Sequence, residues 1–415
     1  MSQFEIINLD GIFDRSLEPE GATEKTWIDT SQGKALFKLG VNPEEEKEYE
    51  SRTDWSERVV SEINNLIGLP SAHYDLAELN SMPGTISYDL TQSKDSNRLS
   101  LEELLVDVID DYSDRFYNPK TIICVLQDYE IRLPPNYSVP AGIKDGADLF
   151  VGILMVDALT SNSDRHDRNL DIVRRSDGVC YLSPCFDNGS TLGALEDNDL
   201  RSYISPELYN FYYSHSYFSV YSSAGKKSQT GLQAFEAAAK QRSEPALIWL
   251  KSLNKISLPQ LEKILSKIPN SYIDPEARNF AKQLLKHNYQ QLKEYEVKLQ
   301  QQYNVERVAP VLENYLKLNR KNKVENKDSV VEYDKVTKIL KYNSKSNFQQ
   351  RLTAKRESNG WQDIDTCLSD RKVTYFLEQV APKINKFVSQ RNYTSQLASN
   401  SLHKSISIAR RSLRR

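Results

Sequence analysis

Two short polar segments of the chain hold residues that could work together on one kind of chemistry. Residues 162–169 read NSDRHDRN and residues 184–189 read PCFDNG. Moving a phosphoryl group onto a hydroxyl requires a carboxylate that positions and deprotonates the attacking oxygen. It also requires oxygen ligands that hold Mg²⁺ on a triphosphate. Asp164 suits the first task, and Asn169 with Asp187 suits the second. His166, two residues after Asp164, is placed either to brace the loop by hydrogen bonding or to share in proton handling. An isolated Asp in a polar loop is usually a turn or cap residue. The reading therefore rests on the combination of the carboxylate loop, the Asn five residues on, and the Asp-Asn-Gly that follows.

Particular elements must position those groups. Residues 147–159 are apolar almost all round, which predicts a buried helix and gives the polar loop a rigid base. Residues 170–173 and 179–182 are β-rich and flank a turn at Asp177-Gly178, so a hairpin returns the chain and brings Asp187 back toward Asn169. Upstream, residues 26–29 and 35–39 flank a turn containing Ser31 and Gly33, another hairpin signal. A helix is expected over 54–67, closed by Gly68 with Pro70 beyond and carrying an apolar stripe of Trp55, Val59, Ile63 and Leu66. A strand over 86–90 precedes the polar stretch TQSKDSNR, which reads as a domain boundary. Helices dominate from residue 101. One begins with Asp274 as N-cap and Pro275 at the first helical position, with Phe280, Leu284, Leu292 and Leu299 at helical spacing. The Lys- and Asn-rich residues 319–328 read as a second linker, and the rest as a basic, helical extension.

Composition narrows the class. At 415 residues and 39% hydrophobic content the chain can form two or three cored domains. No stretch has the apolar length to cross a bilayer, and the N-terminus lacks a cationic then apolar leader, so a cytoplasmic location is expected. Cys124, Cys180, Cys185 and Cys367 show no CxxC spacing, which argues for reduced thiols over a zinc site or a disulfide framework. The net charge of −3 is unevenly spread, since residues 301–415 alone carry about +12. Such a basic segment can meet nucleic acid, an anionic surface or an acidic partner, or can simply be a solvated face.

The strings SDRHDRN and CFDNGS resemble the HipA-like kinases, whose catalytic loop has an Asp, a His two residues later and an Asn five residues later. They also resemble the phosphoinositide kinases, which carry Asp-Arg-His there. The N-terminal half favours the former. Residues 21–27, GATEKTW, look like the HipA-like phosphate loop, with Gly21, Ala22, Thr23 and Lys25 ahead of the first strand. Lys38 then matches the lysine that contacts the nucleotide phosphates. The resemblance implies a Glu on the next helix that orients Lys38, either Glu57, by its spacing to Gly68-Leu69-Pro70, or Glu62, by its nearness to the apolar stripe. It places the adenine hinge at Ser87, Tyr88, Asp89 and Leu90. With the phosphate loop beginning near residue 16, the shorter, stand-alone HipA-like kinases are the better match.

What the resemblance implies is an α+β, bilobed, protein-kinase-like fold. A β-rich N-lobe would occupy residues 1–90, a mainly helical C-lobe 91–300, and the helical extension 301–415. The implied activity is that of an ATP- and Mg²⁺-dependent serine/threonine protein kinase that phosphorylates itself, with Ser16 and Thr23 as acceptors. A lipid or small-molecule kinase and a pseudokinase interaction module are the alternatives.

Overall fold

The computed structural model describes residues 2–11, 15–18, 25–31, 33–40, 52–88, 97–109, 118–203, 222–223, 227–347 and 349–386. The chain divides into two compact units, Met1–Glu296 and Val297–Arg415.

The first unit begins with a six-stranded sheet of β1 (Ile6–Asn8), β2 (Arg15–Glu18), β3 (Lys25–Thr30), β4 (Gly33–Leu39), β5 (Tyr74–Leu79) and β6 (Met82–Tyr88), in the order β1-β5-β6-β4-β3-β2. Only β1 and β5 run parallel; the other pairs are antiparallel. The two-residue period of a strand decides what each face does. Thr26, Ile28, Ala35, Phe37 and Leu39 are buried, and the last four join Leu9, Ala77, Leu79 and Ile86 in one apolar cluster. The alternate residues Lys25, Trp27, Leu36 and Lys38 are left to line a cavity on the opposite face. Two strands, β1 and β2, precede Lys25, so the GATEKTW segment does not lead into the first strand as expected. It joins β2 to β3, which pair from Glu18–Lys25 to Arg15–Ile28.

Helix α1 (Asp54–Ile67) packs on β5 and β6 and ends in a left-handed Gly68, whose N–H and that of Leu69 both reach the Asn64 carbonyl. Its buried side is wider than one stripe. Trp55, Glu57, Val59, Val60, Ile63 and Ile67 are all buried, whereas Leu66 is 49% exposed. Of the expected stripe, Trp55, Val59 and Ile63 are buried and Leu66 is not, its place being taken by Ile67.

Beyond the sheet come β7 (Asn97–Ser100) and α2 (Leu101–Val108), joined by a capping box between Ser100 and Glu103, then α3 (Pro119–Asp128), capped by Asn118. Helix α4 (Gly146–Thr160) is buried along its whole length, as its sequence demands. Close packing requires Gly152, where an added methyl would lie 2.5 Å from the Trp249 ring. Strands β8 (Asp171–Arg174) and β9 (Cys180–Leu182) form the expected hairpin, and β7 pairs with β8. The remainder is α5 (Asn198–Tyr203), the short pair β10 (Ser222–Ser223) and β11 (Lys227–Ser228), α6 (Gly231–Gln241), α7 (Ser243–Asn254), α8 (Leu258–Lys267) and the long α9 (Pro275–Leu318), which starts where Asp274-Pro275 predicts and runs on into the second unit. Among the described residues all four cysteines are free thiols, and no helix is long and apolar enough to cross a membrane.

The second unit corrects the expectation of a helical extension. After the end of α9, an antiparallel meander of β12 (Lys323–Glu325), β13 (Ser329–Asp334), β14 (Ile339–Ser344), β15 (Arg351–Glu357) and β16 (Gly360–Cys367) precedes α10 (Asp370–Thr374) and one wide helical turn, Tyr375–Val380. The reason is legible in the alternation of residues 339–344 and 351–354, where Leu340, Tyr342, Leu352 and Ala354 point inward and their neighbours outward. Those four pack with Val305, Val308, Leu312 and Leu316 of α9 and with Trp361, Val373 and Phe376. The abundance of lysine hides a period of two, because every second position of a solvated sheet face can be charged at no cost.

Candidate active site

The polar loop grows directly from the end of α4. Ser161 turns the chain in a left-handed conformation, φ 53°, and the loop then closes on itself. The Asn162 side chain donates to Asp157 at 2.8 Å and accepts from the Asp164 N–H at 2.9 Å. The Asn169 amide nitrogen donates to the Asp164 carbonyl at 2.8 Å, tying the two ends of the five-residue spacing together. The Asp164 carboxylate itself is half exposed. Partial burial, reinforced by the nearby Asp187 charge and opposed by His166, raises its pKa above the usual aspartate value. His166 Nε2 lies 3.8 Å from Asp164, too far for a hydrogen bond, and its Nδ1 is buried without a partner among the described residues.

Arg165 holds this loop against the Asp187 segment. Its side chain is fully buried and pairs with both oxygens of Asp157 at 3.0 Å. It also donates to the carbonyls of Asn169 at 3.2 Å and Phe186 at 2.6 Å, and to Asn188 Oδ1 at 2.6 Å. One planar guanidinium thereby fixes the positions of residues 164–169 relative to 185–188. Asp187 is itself left-handed, φ 52°, and its N–H donates to the Tyr74 hydroxyl at 3.1 Å.

Lys38, on the cavity face of β4, bridges the sheet and this segment. Its Nζ donates to Glu57 Oε1 at 3.2 Å and to Asp187 Oδ1 at 2.7 Å. The other Glu57 oxygen accepts from the Asn188 N–H at 2.7 Å. Glu57 is therefore the partner of Lys38. Glu62 is not: it pairs with Arg58 at 3.0 Å on the partly exposed side of α1, because the helix face it occupies continues toward the exposed Leu66. Burial raises the Glu57 carboxyl to about 7 against the attraction of Lys38. Burial opposes the charge of Lys38 and of Asp187 as well. Their mutual attraction overcomes it, keeping the ammonium above and the Asp187 carboxyl below their ordinary ranges. The close approach of α1 depends on Gly189, where a methyl would stand 2.9 Å from Thr53 Cβ and 3.3 Å from Glu57.

A cavity of about 550 Å³ opens over these groups. The sheet contributes Lys25, Trp27, Leu36, Lys38, Ser87 and Tyr88, and the facing wall contributes Asn169, Phe186 and Asp187, with Arg98, Glu102 and Arg168 also lining it. The volume is in the range of small-molecule sites. Of the expected phosphate-loop and hinge residues, Lys25, Ser87 and Tyr88 thus line the cavity. Gly21, Ala22, Thr23, Asp89 and Leu90 lie outside the described residues. For a divalent cation, no group of three or more His, Cys, Asp or Glu side chains converges among the described residues. Mg²⁺ needs few protein ligands when phosphates and water complete its shell. Asp187, ionised and facing the cavity, and Asn169, whose amide nitrogen is committed to Asp164 and whose side-chain oxygen is left to ligate a cation, fit that requirement.

Sequence reasoning missed Asp157, Arg165 and Asn188. The signal for the first two was present, since Asp157 is a carboxylate near the end of an almost wholly apolar helix and calls for a buried partner, and an arginine follows eight residues later. Asn188, whose backbone holds Glu57 and whose side chain receives Arg165, carries no such signal.

No protein-family model and no curated protein matches this chain. Among solved structures, the Helicobacter pylori proinflammatory kinase CtkA aligns with a TM-score of 0.56 at 17% identity, over 70% of this chain and 99% of that one. Two others align less well. HipA of Shewanella oneidensis, in its complex with HipB and operator DNA, gives a TM-score of 0.40 at 10% identity, over 69% and 67% of the two chains. An ethanolamine kinase of Plasmodium vivax gives 0.20 at 11% identity, over 68% and 83%. The likeness to CtkA shows that this chain has a kinase fold, a β-sheet part followed by a mainly helical part.

Proposed function

We propose that the chain is an ATP- and Mg²⁺-dependent protein kinase acting on serine or threonine. The observation that supports this most is the placement of Lys38 between Glu57 and Asp187 on the wall of a cavity that Asn169 also lines. In this reading Glu57 orients Lys38, which offers its charge to phosphate oxygens, and Asn169 with Asp187 holds the metal. Mg²⁺, when bound, neutralises charge on the transferring phosphoryl group. Asp164, half exposed beside that metal site, orients the acceptor hydroxyl and takes its proton. His166 is a positioning residue here through its backbone, whose N–H donates to the Asp164 carbonyl and whose carbonyl accepts from the Asn169 N–H, both at 2.9 Å, while its ring is beyond hydrogen-bond reach of Asp164.

Self-phosphorylation is part of the proposal. Ser16 is exposed on β2 and is paired in register with Trp27, a cavity residue. Phosphate there would place nearly two negative charges beside a site for a triphosphate and lower its affinity. The test is mass spectrometry of the purified chain after incubation with Mg-ATP, alone and with protein mixtures or lipid headgroups. Addition of phosphate to protein, abolished by Asp164→Asn, is the expected result. Transfer to lipid headgroups alone would reassign the acceptor class, and no transfer to any acceptor would defeat the proposal.

A further inference from the structure

The second unit carries a feature that the kinase reading leaves unused. Strand register brings the start of β12, the β13–β14 turn and the end of β15 to one end of the sheet, because Lys323 pairs with Glu332, Asp334 with Ile339, and Ile339 with Lys355. The chain just before β12 joins them, as the Tyr333 N–H donates to the Asn322 carbonyl. The exposed side chains collected there include Arg320, Lys321, Lys335, Lys338, Lys355 and Arg356. Lys355 has only a 4.0 Å contact with Glu357, and Arg356 stacks on Trp361. The side chains of Arg320, Lys321, Lys335 and Lys338 make no ion pair among the described residues. The one carboxylate in the turn, Asp334, is occupied with the N–H groups of Val336 and Thr337.

The opposite end of the same sheet is arranged differently. There Lys345 pairs with Glu325 at 2.5 Å and Arg351 with Asp365 at 2.6 Å. Positive charge is compensated at one end, whereas at the other the Lys323–Glu332 pair at 3.6 Å and the Lys355–Glu357 contact leave most of the cations unpaired, which is the pattern expected of a surface for a polyanion. Two observations choose among polyanions. Val336, at the tip of the turn and flanked by Lys335 and Lys338, is 90% exposed. Among the described residues no aromatic ring is exposed at this end: Trp361 is buried and Tyr333 packs on it. An apolar point within a basic rim suits the boundary between lipid headgroups and acyl chains, whereas single-stranded nucleic acid is held by exposed rings on which bases stack.

We propose that this end of the second unit docks on an anionic lipid bilayer, with the lysine and arginine rim facing the headgroups and Val336 entering them. The proposal is independent of the kinase reading. Co-sedimentation of the full chain with phosphatidylcholine vesicles, with and without phosphatidylserine, tests it at low and high salt. Binding is expected only to the anionic vesicles and to weaken with salt. Lys335→Glu combined with Lys338→Glu should lower it about tenfold or more, since each basic residue near such a surface contributes severalfold. Val336→Asp should lower it by a smaller factor, and Lys327→Glu, in the turn at the opposite end, should leave it unchanged. Equal binding to neutral vesicles, full binding by the double variant, or tighter and equally Lys335-dependent binding of a single-stranded RNA oligonucleotide would each overturn the proposal.

Discussion

Arg165 and Lys38 flank the same few residues, 185–188, yet the two cations are held in opposite ways. Arg165 is fully buried, and Asp157, two backbone carbonyls and Asn188 take up its guanidinium donors. Lys38 keeps 15% of its side chain exposed, spends two of its three N–H groups on Glu57 and Asp187, and faces the cavity. A guanidinium whose partners are fixed parts of the chain serves as scaffold. An ammonium between two carboxylates at the edge of a cavity still has charge to offer a ligand. In the proposed kinase reading, the fold thus separates the cation that shapes the site from the one that works in it.

The sharpest way to break that contrast is to remove each cation in turn. Arg165→Ala leaves Asp157 buried with no counter-charge and only the Asn162 amide as partner, so it should cost about 3–5 kcal/mol of stability in denaturant unfolding. Lys38→Met should cost less, because Glu57 can take up a proton, while turnover falls about 10²-fold or more through loss of a charge aimed at phosphate. If both variants lose stability equally and Lys38→Met keeps its turnover, the division between scaffold and working cation is wrong. A smaller structural disturbance is expected from Asp164→Asn. Its carboxylate is half exposed, so stability and nucleotide affinity should stay near the parent values while turnover drops about 10²-fold or more. Parent-like turnover would remove Asp164 from the role of base.

The subtlest effect concerns pH. Glu57 is raised from 4.5 to about 7 by burial, so the folded state holds its proton more tightly than the unfolded state does. Between those values stability should fall as pH rises, because ionising a buried carboxyl opposes folding. Turnover should rise over the same window, as Lys38 gains its second carboxylate. Glu57→Gln should flatten the stability slope in thermal melts across this range. A slope that persists unchanged in the variant would assign it to another group.

How much of this was legible depends on whether the signal was local. The buried helix over 146–160 and the β8–β9 hairpin could be read because apolar runs and an Asp-Gly turn speak for themselves. So could the loop between them, where Asp164 and Asn169 are tied by a short-range bond. Between Glu57 and Glu62, the spacing to Gly68-Leu69-Pro70 pointed to the right residue and nearness to the apolar stripe to the wrong one, since the burial of α1 is set by the sheet on one side and residues 187–189 on the other. The meander of the second unit was missed for a different reason. Its alternation is present, but the charged residues on its outer face also fit a solvated helix surface, so the period of two is not decisive. Arg165 was visible as a letter, and its role is tertiary, reaching across to residues 185–188.

In the proposed reading Asp187, fixed by Tyr74 and Lys38, is the carboxylate through which the cavity binds a metal-nucleotide complex. Isothermal titration calorimetry of Mg-ATP against the parent chain and Asp187→Ala decides the point. Measurable, magnesium-dependent binding by the parent is expected, with a loss of about tenfold or more in the variant, since Asn169 alone cannot hold the ion. Equal affinity in the two proteins, or binding that does not depend on magnesium, would contradict it.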